Sequence, residues 1–337
     1  MRIALDATPL AVPTGGITRY TVELHRALNA AFPCDEYLLM QAGAGALHKR
    51  WWSCGLPFAL IRRDVDVFHG VDFSVPYLPV RAAVMTVHDL SPFRADRAPG
   101  TSERISRRTP WLIGLGLATM LVTPTEAIRR ETISHFGIRP NRVVAVPLAA
   151  SDHFRPVENG LETTPYFLFA GTLEPRKNLH LLVEAWRQVR RTHVVDLVLA
   201  GRQREDFAPL PAEPGLRLMG AVEESALPGL YSGARALVFP SLYEGFGLPV
   251  LEAMQCGAPV LVSRDPAVAE VAGNAGLSVD ASDARGWVTA MTAVLENASL
   301  HSQMRAAGLA RAKAFSWPRT AVQMREVYRE AAARFAG

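Results

Sequence analysis

Two glutamates separated by seven residues, Glu244 and Glu252, bracket a glycine-rich segment in PSLYEGFGLPVLE at 240–252. Gly245 and Gly247 free the backbone to bend and approach a ligand closely. Pro249 marks the first turn of a helix, so the amides of Phe246, Gly247 and Leu248 can form an anion-binding helix terminus. Glu244 precedes that helix and Glu252 lies within it, so the two would face different parts of one ligand. Such a pair suits a polyhydroxyl compound joined to phosphate: carboxylates accept hydrogen bonds from vicinal hydroxyls while amides hold the negative charge. Taken singly, each reads as well as a surface carboxylate beside a loop or on a solvated helix face.

A second segment, GTLEPRKN at 171–178, lies between a strand pattern and a helix pattern. With Asn178 as the N-cap, Arg176 and Lys177 fall at the positive end of the helix dipole, where cations are not stabilised. A diphosphate between them would remove the conflict; a stray basic pair on a surface loop is the bland alternative. PTGGI at 13–17, with Gly15 and Gly16, is a phosphate-approach loop or a tight turn. TVHD at 86–89 puts His88 at a strand end, where a lone histidine is more often a satisfied structural group than a catalytic one. GLGLAT at 114–119 imitates a dinucleotide fingerprint but follows a helical stretch and lacks the third glycine. There is no GxxxxGK[ST], HExxH or GxSxG, and Cys and His lack metal-ligand spacing, so no metal is expected.

Open α/β sheets bind ligands beyond the carboxyl ends of their strands, and all four segments fall at such places. The 337 residues suggest two domains at about 150 residues each. Strand patterns at 2–6, 65–68, 83–87, 119–123 and 142–146 alternate with helical ones at 17–31, 102–117 and 126–136. The stretch 156–165 is polar and acidic, the composition of a linker. A second series follows, with strands at 166–170, 194–199, 216–219, 236–239 and 259–262 and helices at 179–189, 284–296 and 300–314. A last helix, 319–335, starts after Ser316-Trp317-Pro318, and periodicity does not assign it to either domain. The fold class is α/β, with two doubly wound parallel units.

Hydrophobic residues make up 49% and charged residues 20%, which excludes a disordered chain. Cys34, Cys54 and Cys256 form no CxxC, so neither a disulfide framework nor a zinc site is expected, and a reducing compartment fits. An acid at Asp6 precedes any apolar stretch, so no secretory leader is expected. The longest apolar run, 111–122, is shorter than the roughly 20 residues of a membrane span. A cytoplasmic protein is therefore expected. Net charge is +4, with 17 basic against 12 acidic residues in 1–150 and 19 against 20 in the remainder. Arg94, Arg97, Arg104, Arg107 and Arg108 are answered only by Asp96 and Glu103. They form a solvated face, or a patch that meets anionic lipid headgroups or a phosphorylated acceptor. No aromatic-interleaved basic stripe accompanies them, so nucleic acid is not an expected partner.

In this order the segments resemble the retaining GT-B glycosyltransferases of family 4, group 1, and within it mannosyltransferases. The likeness rests on EGFGLPVLE inside FPSLYEGFGLPVLEAMQCGAPVLVS, on GTLEPRKNL at 171–179, on the GG pair at 15–16, on HDL at 88–90 and on FSW near the C-terminus. It covers nearly the whole chain. Ala269-Glu270-Val271 stands where the family often has Pro-Glu-Val, and Leu148-Ala149-Ala150 replaces its usual Asn-Gly.

The resemblance implies two Rossmann-like domains facing across a cleft. Residues 1–157 would be the acceptor side, 164–316 would bind the nucleotide sugar, and helix 319–335 would pack back on the N-terminal domain. It implies that Glu252 binds the donor ribose and Glu244 the transferred sugar, with His88 approaching that sugar. Arg176 and Lys177 would hold the diphosphate, helped by Gly15, Gly16, Thr172 and the amides of Phe246, Gly247 and Leu248. The implied donor is a nucleotide-diphosphate sugar, GDP-mannose foremost, with no cofactor and no metal. The implied acceptor is a saccharide or a lipid-linked one in bacterial surface polysaccharide or lipopolysaccharide assembly. The place of work would be the inner face of the cytoplasmic membrane, touched peripherally through the basic N-terminal domain. The competing readings are a sugar-nucleotide epimerase or phosphorylase on the same architecture, and a non-catalytic nucleotide-sugar-binding subunit.

Overall fold

The structure, a computed structural model, describes residues 1–11, 15–42, 50–94, 101–158 and 164–337. The chain divides into two compact units, Met1–Leu148 with Ser316–Gly337, and Ala149–Phe315. The first unit holds β1 (Arg2–Asp6), α1 (Gly16–Ala31), β2 (Glu36–Met40), α2 (Leu56–Arg62), β3 (Val67–Gly70), β4 (Ala82–Thr86), α3 (Thr101–Gly114), β5 (Met120–Thr123), α4 (Glu126–Phe136) and β6 (Val143–Ala145). Its six strands run in the order β2-β1-β3-β4-β5-β6, each pair parallel. Every residue of β3, β4 and β5 is buried, which is why apolar side chains predominate in them without alternating with polar ones.

The second unit holds β7 (Tyr166–Ala170), α5 (Leu179–Arg190), β8 (Asp196–Ala200), β9 (Leu216–Gly220), α6 (Leu227–Gly233), β10 (Ala236–Phe239) and α7 (Leu248–Gln255). It continues with β11 (Val260–Ser263), α8 (Pro266–Ala272), β12 (Leu277–Val279), α9 (Ala284–Glu296) and α10 (Ala298–Ala312). Its sheet order is β12-β11-β10-β7-β8-β9, again parallel throughout. Periodicity passes over β2, α2, α6, α8 and β12. The strands β2 and β12 are sheet edges with exposed positions, and the three helices are seven residues each, two turns that repeat no stripe.

The first unit ends at Leu148 rather than at 157, because the following residues pack into the second. Phe154 is fully buried with its ring 6.0 Å from that of Tyr231, and Gln255 Nε2 donates to Ser151 O at 3.2 Å. Of the expected linker, residues 159–163 lie outside the described residues. The last helix, α11 (Trp317–Ala336), packs on α1 and β4 of the first unit. Thr320 Oγ1 donates to Pro147 O at 2.7 Å, and Arg325 Nε pairs with Asp35 at 2.6 Å. Tyr328 reaches further in: its hydroxyl lies 2.8 Å from His69 Nδ1, and His69 Nε2 lies 2.7 Å from Thr86 Oγ1. Burial pushes the His69 imidazole down to about 3, so the ring is neutral.

Candidate active site

In the second sheet β7 and β10 are neighbours whose connections leave in opposite directions, to β8 on one side and to β11 on the other. The crevice beyond such a switch point is where α/β sheets bind ligands. The loop after β7 makes a short helical turn, Pro175–Lys177, and the loop after β10 runs through Glu244 into α7. Leu242 N donates to Arg176 O at 2.8 Å, tying the two loops together.

Lys177 Nζ pairs with Glu244 Oε1, and Arg176 Nη1 lies 3.0 Å from Glu244 Oε2 and 2.8 Å from Tyr243 O. Arg176 Nε lies 2.7 Å from Glu174 Oε1, whose Oε2 takes Arg204 Nη1 at 2.5 Å. The Lys177 and Glu244 side chains are each 8% exposed. Burial works to raise the Glu244 carboxyl, but Lys177 and Arg176 outweigh it and hold the group below the ordinary range. For Lys177 burial dominates and lowers the ammonium, with Glu244 working against it.

Two expectations are corrected here. The cations are not left against a helix dipole to await an anion, because Glu174 and Glu244 already answer them. Asn178 is no side-chain cap for α5: it sits in the left-handed region at φ 57°, and its Nδ2 donates to Ala281 O at 2.7 Å.

Glu252 lies on α7 but on no solvated face: it is 3% exposed and accepts the Tyr231 hydroxyl at 2.8 Å. The start of α7 has no side-chain cap, and Gly247 before it has φ 90°, a conformation that favours glycine. Phe246 is buried with its ring edge-on to Phe315 at 5.7 Å, so its side chain serves packing while its backbone stands at the helix start. Thr172 is exposed in the loop after β7.

The sequence reading missed Asp265. Its Oδ1 accepts the Ala267 and Val268 amides at 3.0 and 3.1 Å, capping α8, and its Oδ2 accepts the Glu244 amide at 3.3 Å. Burial pushes this carboxyl up to about 6. Asp265 followed by Pro266 is a helix-start signature that could have found it. Glu270 is half-buried on α8, and its carbonyl accepts Arg311 Nη2 at 2.7 Å.

Gly15, Gly16 and His88 belong to the first unit, and the remaining candidates belong to the second. Gly15 is the residue before α1, at φ 145°; Pro13 and Thr14 lie outside the described residues. His88 Nε2 lies 2.8 Å from Val71 O, and its ring meets Tyr20 edge-on at 5.1 Å. Of the basic patch, Asp96 and Arg97 lie outside the described residues. Arg108 turns inward, its Nη2 3.1 Å from both Phe73 O and Ser74 Oγ. Arg107 remains 81% exposed, along with Trp111 at 70% and Leu115 at 68%. Among the described residues, no group of three or more His, Cys, Asp or Glu could hold a metal. Nor is any helix among them long and apolar enough to cross a membrane.

Comparison with known proteins meets this geometry. The model of the family "Glycosyl transferases group 1" matches residues 151–311, the span that carries the Arg176–Lys177–Glu244 cluster. O-antigen chain mannosyltransferase B of Escherichia coli is 30% identical, over 98% of this chain and 100% of its own. Anabaena HepE, solved in complex with UDP-glucose, superimposes with a TM-score of 0.75 at 15% identity, covering 97% of this chain and 98% of that one. WaaG, a glycosyltransferase involved in lipopolysaccharide biosynthesis, gives a TM-score of 0.69 at 14% identity over 97% and 99%. At such identities these structures speak for the fold, which is that of the GT-B glycosyltransferases. With a relative aligned along its full length and the family model lying over the switch-point cluster, the chain belongs to the group 1 glycosyl transferases.

Proposed function

We propose that this protein moves a hexosyl group, mannosyl foremost, from a nucleotide-diphosphate sugar to a saccharide or lipid-linked acceptor in bacterial surface polysaccharide assembly. One observation carries the reading: Glu244, Arg176 and Lys177 converge at a sheet switch point, in the loop that leads to the uncapped start of α7. The full-length likeness to an O-antigen chain mannosyltransferase supports mannose; the carrier in this proposal is GDP.

In this reaction the bond from the anomeric carbon to the diphosphate oxygen breaks, and its electron pair leaves with the diphosphate. The acceptor hydroxyl oxygen bonds to that carbon, and its proton passes to the departing phosphate. Attack on the face from which the phosphate departs retains the anomeric configuration. Arg176, Lys177 and the amides of Phe246, Gly247 and Leu248 meet the growing charge, with Gly15, Gly16 and Thr172 assisting. Glu252 takes the ribose hydroxyls; Glu244 and His88 take the transferred sugar. The two cations make a divalent metal dispensable, so excess EDTA should leave turnover unchanged. Exposed Arg107, Trp111 and Leu115 on and just after α3 support peripheral contact with an anionic membrane at its cytoplasmic face.

Removing one preorganised donor of this kind costs on the order of 10²–10³ in rate. Lys177→Ala should therefore lose about 10²-fold in transfer from GDP-mannose while its circular dichroism stays native. Near-wild-type turnover would overturn the assignment. Glu252→Ala should weaken nucleotide binding, and unchanged affinity by calorimetry would remove its ribose role.

A further inference from the structure

The hydrogen bonding between β7 and β8 does not stop where the strands end. Gly171 N donates to Ala200 O at 2.9 Å, Leu173 N to Arg202 O at 2.8 Å, and Arg204 N to Leu173 O at 3.0 Å. Leu173 and Gln203 form an isolated parallel bridge. The two backbones pass so closely that a Cβ on Gly201 would fall 1.8 Å from Gly171 O. Phe207, 3% exposed and stacked on His180 of α5 at 5.2 Å, anchors the segment, and its amide donates to Arg204 O at 3.1 Å. Glu174 and Arg204, 30 positions apart, are thereby fixed side by side.

Glu174 is 5% exposed, and each of its oxygens meets a different guanidinium. Its Oε1 lies 2.7 Å from Arg176 Nε, and its Oε2 accepts from Arg204 Nη1 at 2.5 Å. Arg204 is itself held by Asp206, whose carboxylate accepts from its Nε at 2.5 Å and from its Nη2. Alternating charge therefore runs in one line from Asp206 through Arg204, Glu174, Arg176 and Glu244 to Lys177. The inner end of this line is the proposed donor site, and the outer end lies in the loop after β8.

Arg176 has a long side chain whose freedom must be lost before it can meet a diphosphate. Glu244 holds it at Nη1, but the proposed reaction sends Glu244 to the transferred sugar, and an arriving diphosphate competes for the same cation. Glu174 grips Nε and has no second duty. Charge-assisted hydrogen bonds are the strong ones, and a charged group held by rigid neighbours keeps the sub-ångström placement that transition-state stabilisation needs.

We propose that Glu174 is a positioning residue for the transfer reaction, holding the Arg176 guanidinium through Nε, and that Arg204 with Asp206 sets Glu174. The proposal rests on the transferase reading and adds to it residues that act through Arg176 without touching the substrate.

Glu174→Gln removes the grip, because an amide offers one oxygen where two guanidiniums each need an acceptor. It strands no cation: Arg176 keeps Glu244 and Tyr243 O, and Arg204 keeps Asp206. Its melting temperature should stay within about 4 °C of the wild type. Hydrolysis of GDP-mannose without acceptor should fall about tenfold in kcat/KM. The same substitution in Arg176→Ala, itself about 10²-fold down, should cost less than about twofold, since residues that act through one another are not additive. Arg204→Met should show this pattern with a smaller loss, and Arg204→Lys should retain most of the rate; these two carry the test should Glu174→Gln not fold. A readout independent of turnover is the Arg176 Nε–H resonance, assigned by its loss in Arg176→Ala. It should exchange slowly in the wild type and be broadened away in Glu174→Gln. Losses that multiply in the Arg176→Ala background, a wild-type rate in Glu174→Gln, or a surviving Nε–H resonance overturn the proposal. A wild type that neither binds nor hydrolyses GDP-mannose sinks the transferase reading instead, and the resonance alone then decides whether Glu174 fixes Arg176.

Discussion

Loss of the Glu244 side chain should cost much more than loss of Lys177, although they form one ion pair. Glu244→Ala strands the Lys177 ammonium, 8% exposed, whereas Arg176 still has Glu174 at 2.7 Å. Breaking a buried pair from one side costs about 3–5 kcal/mol. At about 2–4 °C per kcal/mol for a unit of this size, the second unit should melt roughly 6–20 °C lower. Lys177→Met instead leaves Glu244 paired with Arg176 at 3.0 Å and fills similar volume, for a cost of about 1–2 kcal/mol. The double variant Glu244→Leu/Lys177→Met strands no lysine and should recover most of the loss. The stranded Lys177 relieves itself by shedding its proton, so its folded pKa lies below the unfolded value of about 10.4. The unfolded chain then binds more protons, stability rises with pH, and the Glu244→Ala deficit should shrink between about pH 7 and 9.5. Scanning calorimetry of the four proteins at both pH values measures all of this. Equal losses in the two single variants, with no recovery in the double, would refute the reasoning.

Asp265 is raised in the folded state to about 6 from an unfolded 3.8, so its contribution is complete below pH 3.8 and fades as pH rises through 6. Asp265→Asn carries no such dependence, and its melting temperature should gain on the wild type as pH goes from about 4 to 7. His69 behaves oppositely. Lowered to about 3 by burial, it leaves the unfolded chain binding the extra proton below about pH 6.5. The first unit should lose about 1.4 kcal/mol per pH unit there, and His69→Leu should flatten that slope in acid melts. Tyr328→Phe, which leaves His69 Nδ1 unanswered, should cost about 1–3 kcal/mol with nucleotide affinity unchanged by calorimetry.

What the sequence disclosed follows from how each element is stabilised. Strands β1, β7 and β10 were legible to the residue because their apolar runs end at residues that turn toward a ligand-binding edge. The Glu244–Glu252 spacing was legible because a single loop, 240–247, joins β10 to helix α7. Sequence proximity said nothing of contacts made across the sheet. Glu174 with Arg204, Tyr231 with Glu252, and Asp265 with the Glu244 amide join residues 21 to 30 positions apart, and only the strand order brings them together. The polarity of Arg176 and Lys177 was visible, but the carboxylates that answer them were not, so they looked unsatisfied when they are preorganised.

Helix α11 completes the first unit with residues 316–337, after the whole second unit has been made. A nascent polypeptide leaving the ribosome can finish residues 149–315 while the buried faces of α1 and β4 still lack their covering, with His69 missing the hydroxyl of Tyr328. The half synthesised earliest is therefore the one consolidated last. Arrest or proteolytic nicking between residue 315 and α11 would harm the first unit and spare the second.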